Sequence, residues 1–217
     1  MPTDPANETQ SKVWRGKPLY TLGVNKTLLA LLLGVTTSFA SAQSSAGLAI
    51  SGTVSGSVPP HARVGGFVLD SSGAPVAELV SVPVTNGHFA LELPSIVPPG
   101  GTLSTLRADS IFWPGLLEPV NVSGQASTAE LKLYVYSDQN GNGRYEDTEP
   151  LLESMAFVGK SRLVVSYATV AAQVNAARGF QANLKPGWNG LLIEVGKTVR
   201  VTSSSSIGGV MLDVHQR

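Results

Sequence analysis

From Leu131 to Pro150 the chain changes its pattern twice. Leu131-Lys132-Leu133-Tyr134-Val135-Tyr136-Ser137 alternates strictly, with Leu131, Leu133 and Val135 on one face. That period of two predicts a half-buried β-strand. The strand runs into Asp138-Gln139-Asn140-Gly141-Asn142-Gly143-Arg144-Tyr145-Glu146-Asp147-Thr148-Glu149 and the next residue is Pro150. Proline lacks an N–H and is well tolerated in a helix only at its first position. A helix cannot comfortably leave this loop, so the loop joins or caps strands, and the chain around it is committed to β-structure.

The loop has a chemistry of its own. It matches D-x-[DN]-x-[DN]-G-x5-E at every constrained position, a pattern that wraps oxygen donors around Ca²⁺. Calcium takes six to eight oxygens at about 2.3–2.6 Å. Asp138, Asn140 and Asn142 supply side-chain oxygens at positions 1, 3 and 5, and Gly143 makes the sharp turn at position 6. Arg144 offers its backbone carbonyl, Glu146 reaches the ion through a water, and Glu149 closes the sphere with both oxygens. The plainer alternative is an unliganded turn, since Asn, Asp and Gly tolerate left-handed backbone and cap themselves. A turn alone does not require a carboxylate six residues after the glycine. Asp138, Glu146, Asp147, Glu149 and Glu153 also crowd one short segment that contains a single base, Arg144.

On those residues the loop resembles the calcium loops of dockerins and of the B-type repeats of bacterial surface adhesins, where D-x-N-x-N-G-x-x-x-x-x-E-P runs occur. The resemblance covers about thirteen residues and implies an ion that rigidifies a module without doing chemistry. A second segment resembles the opening of carboxypeptidase-regulatory-like domains. Gly66-Phe67-Val68-Leu69-Asp70-Ser71-Ser72-Gly73-Ala74-Pro75-Val76 is followed by Asn86-Gly87-His88-Phe89-Ala90-Leu91. This similarity spans about 28 residues, with a shorter spacing between its halves than that family has. It implies a transthyretin-type sandwich that serves as a non-catalytic attachment or binding module.

The rest of the span 43–217 reads as β throughout. Short apolar runs alternate with turn signals, which predicts an all-β, antiparallel sandwich of Ig-like or transthyretin-like kind, as one domain or as halves 43–127 and 128–217. The expected strands are Leu48–Val54, Val64–Leu69, Val76–Val84, His88–Leu93, Thr102–Arg107, Leu131–Ser137, Met155–Val158, Arg162–Tyr167, Leu191–Val195, Thr198–Thr202 and Val210–Val214. Asn86-Gly87 suits a two-residue hairpin, and Pro83 places its strand at a sheet edge. The alanine-rich stretch Thr169 to Arg178 fits either two helical turns or more strand. Ser203-Ser204-Ser205-Ser206 is expected to form a polar bend.

The amino terminus sets the expected compartment. Lys26-Thr27 precedes the apolar run Leu28 to Val35, and Ala40-Ser41-Ala42 offers a small-residue cleavage site, the layout of a secretory signal over 1–42. The run is shorter than the roughly twenty residues a membrane span needs. Residues ahead of Val24 are either an over-long start or a long basic leader. Removing 1–42 takes Lys12, Arg15, Lys17 and Lys26 against Asp4 and Glu8, so a neutral chain becomes one of net charge −2. No basic stripe remains for nucleic acid. The chain has no cysteine, which is unusual for an oxidising destination, and a bound ion could supply rigidity that disulfides give elsewhere.

Signs of catalysis are sparse. His61, His88 and His215 are far apart, and neither H-E-x-x-H nor G-x-S-x-G occurs. His88 reads as an exposed hairpin residue. Asp70, Glu92, Asp109, Glu118 and Glu130 offer carboxylates for a sandwich glycosidase, but nothing pairs two of them. Trp113 and Trp188 either stack a sugar from a loop or plug the core. The sequence therefore predicts a secreted or periplasmic, calcium-binding, non-enzymatic module with a structural or interaction role, whose partner is a cell-envelope protein or polysaccharide. The alternatives are a carbohydrate- or surface-binding module and a sandwich hydrolase.

Overall fold

The alternation of Leu131, Leu133 and Val135 is carried into three dimensions: all three side chains enter the main core, while Tyr134 and Tyr136, at the alternate positions, face the other way into an aromatic cluster with Phe67. The computed structural model describes residues 47–214. The leader expected over 1–42, the start near Val24, and His215 lie outside the described residues.

Fourteen strands follow one another: β1 (Ala49–Gly56), β2 (Ala62–Leu69), β3 (Pro75–Pro83), β4 (His88–Glu92), β5 (Ser104–Thr105), β6 (Asn121–Ser123), β7 (Ser127–Ser137), β8 (Leu151–Val158), β9 (Ser161–Ala168), β10 (Ala172–Asn175), β11 (Gln181–Leu184), β12 (Gly187–Val195), β13 (Val199–Ser204) and β14 (Ser206–Val214). The fold is all-β, and the described residues contain no α-helix, only 3-10 turns at Ala108–Ser110 and Ala177–Gly179. Consequently no helix among them is long and apolar enough to cross a membrane.

The main sheet runs β13-β12-β9-β7-β8-β14-β1-β4, with β2 paired to β7 and β3 to β2. A purely antiparallel arrangement was expected, but the sheet is mixed, because β1 lies parallel to β14. Parallel neighbours require a long connection, and almost the whole chain lies between these two strands. Their register slips between Ile50 and Gly52. There a Cβ on Gly52 would stand 1.7 Å from the Val210 carbonyl oxygen, so the bulge needs glycine.

Two apolar cores meet at the wall formed by β9 and β12. Leu163 and Val165 of β9 join Ile50, Phe89, Leu133 and Leu212 on one side. Leu191 and Ile193 of β12 join Trp113, Val174, Phe180 and Ala182 on the other. The second core is roofed by the small sheet β11-β10-β6; β6 and β11 were not expected from the sequence, and β10 falls in the stretch that by sequence fits either helix or strand. They are three or four residues long, too short for alternation to stand out. The Thr169 to Arg178 stretch resolves as β10 followed by the turn at Ala177–Gly179. Its helical alternative fails because Arg178 adopts left-handed backbone, φ 61°, and Ala172 and Val174 alternate into the core. Of the expected strand Thr102–Arg107 only Ser104–Thr105 pairs.

Turn chemistry holds where the local sequence demanded it. Asn86 and Gly87 take φ of 52° and 78°, the paired positive values of a type I′ turn. Thr85 and His88 exchange both backbone hydrogen bonds at 2.9 Å. The strands then part: β3, ending at Pro83, pairs only with β2 and is an edge, whereas β4 pairs with β1. His88 is exposed, as expected. Ser204 makes the polar bend, its Oγ donating to the Ser206 carbonyl at 2.7 Å and accepting the Ser206 N–H at 3.1 Å.

Candidate metal-binding loop

Residues 138–149 connect β7 to β8. The loop folds by satisfying its own backbone with its own side chains. Asp138 Oδ2 accepts the Gly143 N–H at 3.0 Å, drawing the chain over in a tight arc. Asn140 Oδ1 accepts the Asn142 N–H at 3.0 Å, and Asn142 Oδ1 accepts the Arg144 N–H at 2.8 Å. These are the two-residue Asx turns for which Asn and Asp are suited. Gly141 and Gly143 take φ of 71° and 79°. Glu149 reaches back from the far end: its Oε1 accepts the Gln139 N–H at 3.0 Å and its Oε2 the Glu146 N–H at 3.1 Å. The first and last acids therefore fasten one loop.

Burial within the loop is uneven. Asp138 and Glu149 are 6% and 5% exposed, whereas Asn140, Asn142, Arg144, Glu146 and Asp147 lie at the surface. Asp138 Oδ1 is buried with no hydrogen-bond partner. Such an orphaned acceptor costs about 1–3 kcal/mol, and more if charged. The Asn142 side-chain amide donates to Glu146 Oε1 at 2.7 Å, so positions 5 and 9 touch. Among the described residues no group of three or more His, Cys, Asp or Glu stands together as a metal-holding cluster. Asp138, Glu146 and Glu149, the three carboxylates expected around an ion, are thus not drawn into one such cluster; the remaining expected donors are asparagine oxygens and a backbone carbonyl. A carboxylate oxygen has more than one lone pair, so the N–H bonds to Asp138 and Glu149 leave lone pairs free to coordinate a cation as well.

The loop is also latched to the neighbouring strands, which local sequence did not reveal. The Tyr145 N–H donates to Glu78 Oε2 of β3 at 3.0 Å, and the Tyr136 hydroxyl donates to Glu78 Oε1 at 2.9 Å. The Ser81 hydroxyl donates to the Gly143 carbonyl at 2.8 Å. The Asp138 N–H donates to the His61 carbonyl at 3.1 Å, so His61 takes part through its backbone. The Tyr145 ring meets Phe67 and Tyr136 edge-on, with centroids 5.4 and 5.6 Å apart. Burial pushes the Tyr136 phenol up to about 12, and burial likewise raises Tyr145, helped by Asp147 and Glu149.

Counter-charge comes across strands. Arg63 Nη1 of β2 lies 3.7 Å from Asp138 Oδ2, and Lys132 Nζ of β7 lies 3.2 Å from Glu153 Oε2. The acids are thus less isolated than the single local base Arg144 implied. The one signal available in the sequence was a charged residue, Arg63 or Glu78, set within an apolar strand.

The other candidates have structural duties. Trp113 is 5% exposed, its indole N–H donates to Glu130 Oε1 at 2.8 Å, and its ring stacks on Phe180. Burial raises the Glu130 pKa, partly offset by that hydrogen bond. Trp188 is half-buried against Tyr167. Neither indole lies open in the manner of a sugar platform; among the described residues the exposed ring is Phe112, 87% accessible. Asp70 closes the turn before β3 by accepting from Ser72 and Ala74. Asp109 pairs with Arg107, and Glu118 accepts the Val120 N–H. No protein-family model, curated protein or solved structure matches the chain.

Proposed function

We propose that this chain is a calcium-stabilised β-module, of the sandwich type, with a structural or interaction role in the cell envelope or extracellular space. Loop 138–149 is the ion site. Asp138, Asn140 and Asn142 contribute side-chain oxygens, Arg144 its backbone carbonyl, Glu146 a water-mediated contact and Glu149 its carboxylate. The observation that carries this reading is Asp138 Oδ1, a buried carboxylate oxygen with no protein partner. It sits at the first position of a loop whose glycine and closing glutamate keep the sequence spacing of a calcium loop. A divalent cation there relieves both the orphaned acceptor and the crowding of acids. Few carboxylates enter the sphere, so the dissociation constant falls in the range of extracellular modules, about 10⁻⁴–10⁻³ M.

The expected role is mechanical. Calcium fastens β7 to β8, and through Tyr145, Gly143 and Asp138 it fastens both to β2 and β3. Isothermal titration of the purified secreted form tests this. Heat of binding with millimolar Ca²⁺, lost in Asp138→Asn, supports the assignment. Absence of heat from the parent protein, or an undiminished response in the variant, rejects it.

A further inference from the structure

Arg63 stands where a second cation would have to compete. Its side chain is 17% exposed, so solvent screens it weakly. Nε donates to the Ser81 hydroxyl at 3.0 Å and Nη2 to the Ser81 carbonyl at 3.3 Å. These two bonds hold the guanidinium beside the loop instead of letting it swing to solvent. A Cβ on Gly143 would lie 3.6 Å from Nη2, which places the group against the sixth position of the loop. Nη1 approaches Asp138 Oδ2 only to 3.7 Å, beyond hydrogen-bond range, and Oδ1 stays unpartnered. The guanidinium therefore balances the charge of Asp138 without satisfying it.

We propose that Arg63 is a resident counter-ion that sets the calcium affinity of loop 138–149, supporting the loop when calcium is absent and opposing the ion when it binds; this rests on the calcium reading given above. Two cations sharing one buried carboxylate repel, and neither can be screened away. With Arg63 in place the loop stays folded at low calcium and releases the ion readily. Without it, the loop depends on the ion for charge balance and holds it more tightly.

The test is calcium titration of the full secreted protein and its Arg63→Met variant, by calorimetry and by melting in calcium and in chelator. Arg63→Met is expected to bind about tenfold more tightly, the lower end of what one adjacent charge does to a buried group. It is also expected to melt lower than the parent in chelator and to gain more from calcium. Folding of Arg63→Met only in the presence of calcium supports the proposal. If that variant folds in neither condition, Arg63→Gln, which keeps a hydrogen bond available to Ser81, carries the same expectation. Affinity equal to or weaker than the parent in a folded neutral variant overturns the role of Arg63 alone. No calcium binding by parent or variant overturns the loop assignment and this proposal with it.

Discussion

Tyr145 joins the loop to the sheet, and the cost of removing it can be worked from its contacts. Its ring meets Phe67 at 5.4 Å and 82°, and Tyr136 at 5.6 Å and 74°. Edge-to-face pairs contribute about 0.5–1.5 kcal/mol each beyond area burial. Two such pairs together give about 1–3 kcal/mol, and the partly buried ring adds to that. Tyr145→Ala is therefore expected to cost about 2–3 kcal/mol, while the backbone bond from residue 145 to Glu78 survives. For a domain of this size, about 2–4 °C of melting temperature goes with each kcal/mol, so the midpoint falls by about 4–12 °C. Urea unfolding of the parent, Tyr145→Ala, Phe67→Leu and the double variant gives the coupling directly. Contacting residues should be non-additive by about 0.5–1.5 kcal/mol. A loss below about 0.5 kcal/mol, or additive single effects, would refute the view that the aromatic cluster docks the loop.

Three further expectations come from other parts of the molecule. Gly52→Ala forces a methyl group onto the Val210 carbonyl and should cost about 3 kcal/mol or more, seen as a large drop in urea midpoint; a near-neutral result would mean that β1 and β14 are not in this register. Glu130 has a raised pKa in the fold through burial, so its contribution is fully present below its unfolded pKa and is lost as pH rises through the folded value. Glu130→Gln retains an acceptor for Trp113, and its stability relative to the parent should improve as pH climbs from acid to neutral; a difference independent of pH in denaturation curves would contradict this. Tyr136, pushed up from 10.0 to about 12, stabilises the fold fully below pH 10 and loses that contribution between about 10 and 12. Ultraviolet titration of the folded protein should show a late-ionising phenol that disappears in Tyr136→Phe, and an unchanged titration curve would count against it.

Which features were legible in the sequence follows from how far apart their causes lie. Alternation in Leu131–Ser137 and the Asn86-Gly87 turn are local, because backbone geometry and side-chain period act over a few residues. Pro83 marked an edge for the same reason: a missing N–H cannot sit in a central ladder. The loop motif, too, is confined to a dozen residues, so its candidate donors Asp138, Asn140, Asn142, Arg144, Glu146 and Glu149 could be named in advance. The short strands β6 and β11 could not be recognised, and β10 could not be told from helix. Only the second apolar core, with Trp113 and Phe180 above Leu191 and Ile193, gives their few residues something to cover.

Sequence alone determined that this chain builds strands, where several turns fall, and which residues of one loop are candidate oxygen donors. Tertiary structure decided what surrounds those donors. Arg63, Glu78 and Ser81 lie 75, 60 and 57 positions before Asp138 in the chain, yet β2 and β3 bring them to the loop. The parallel meeting of β1 with β14 is of the same kind. Local patterns specify conformation because their interactions span a turn or a pleat. Counter-charge, burial and ring packing depend on which strands become neighbours, and that is decided by how the whole set of apolar faces can be buried together.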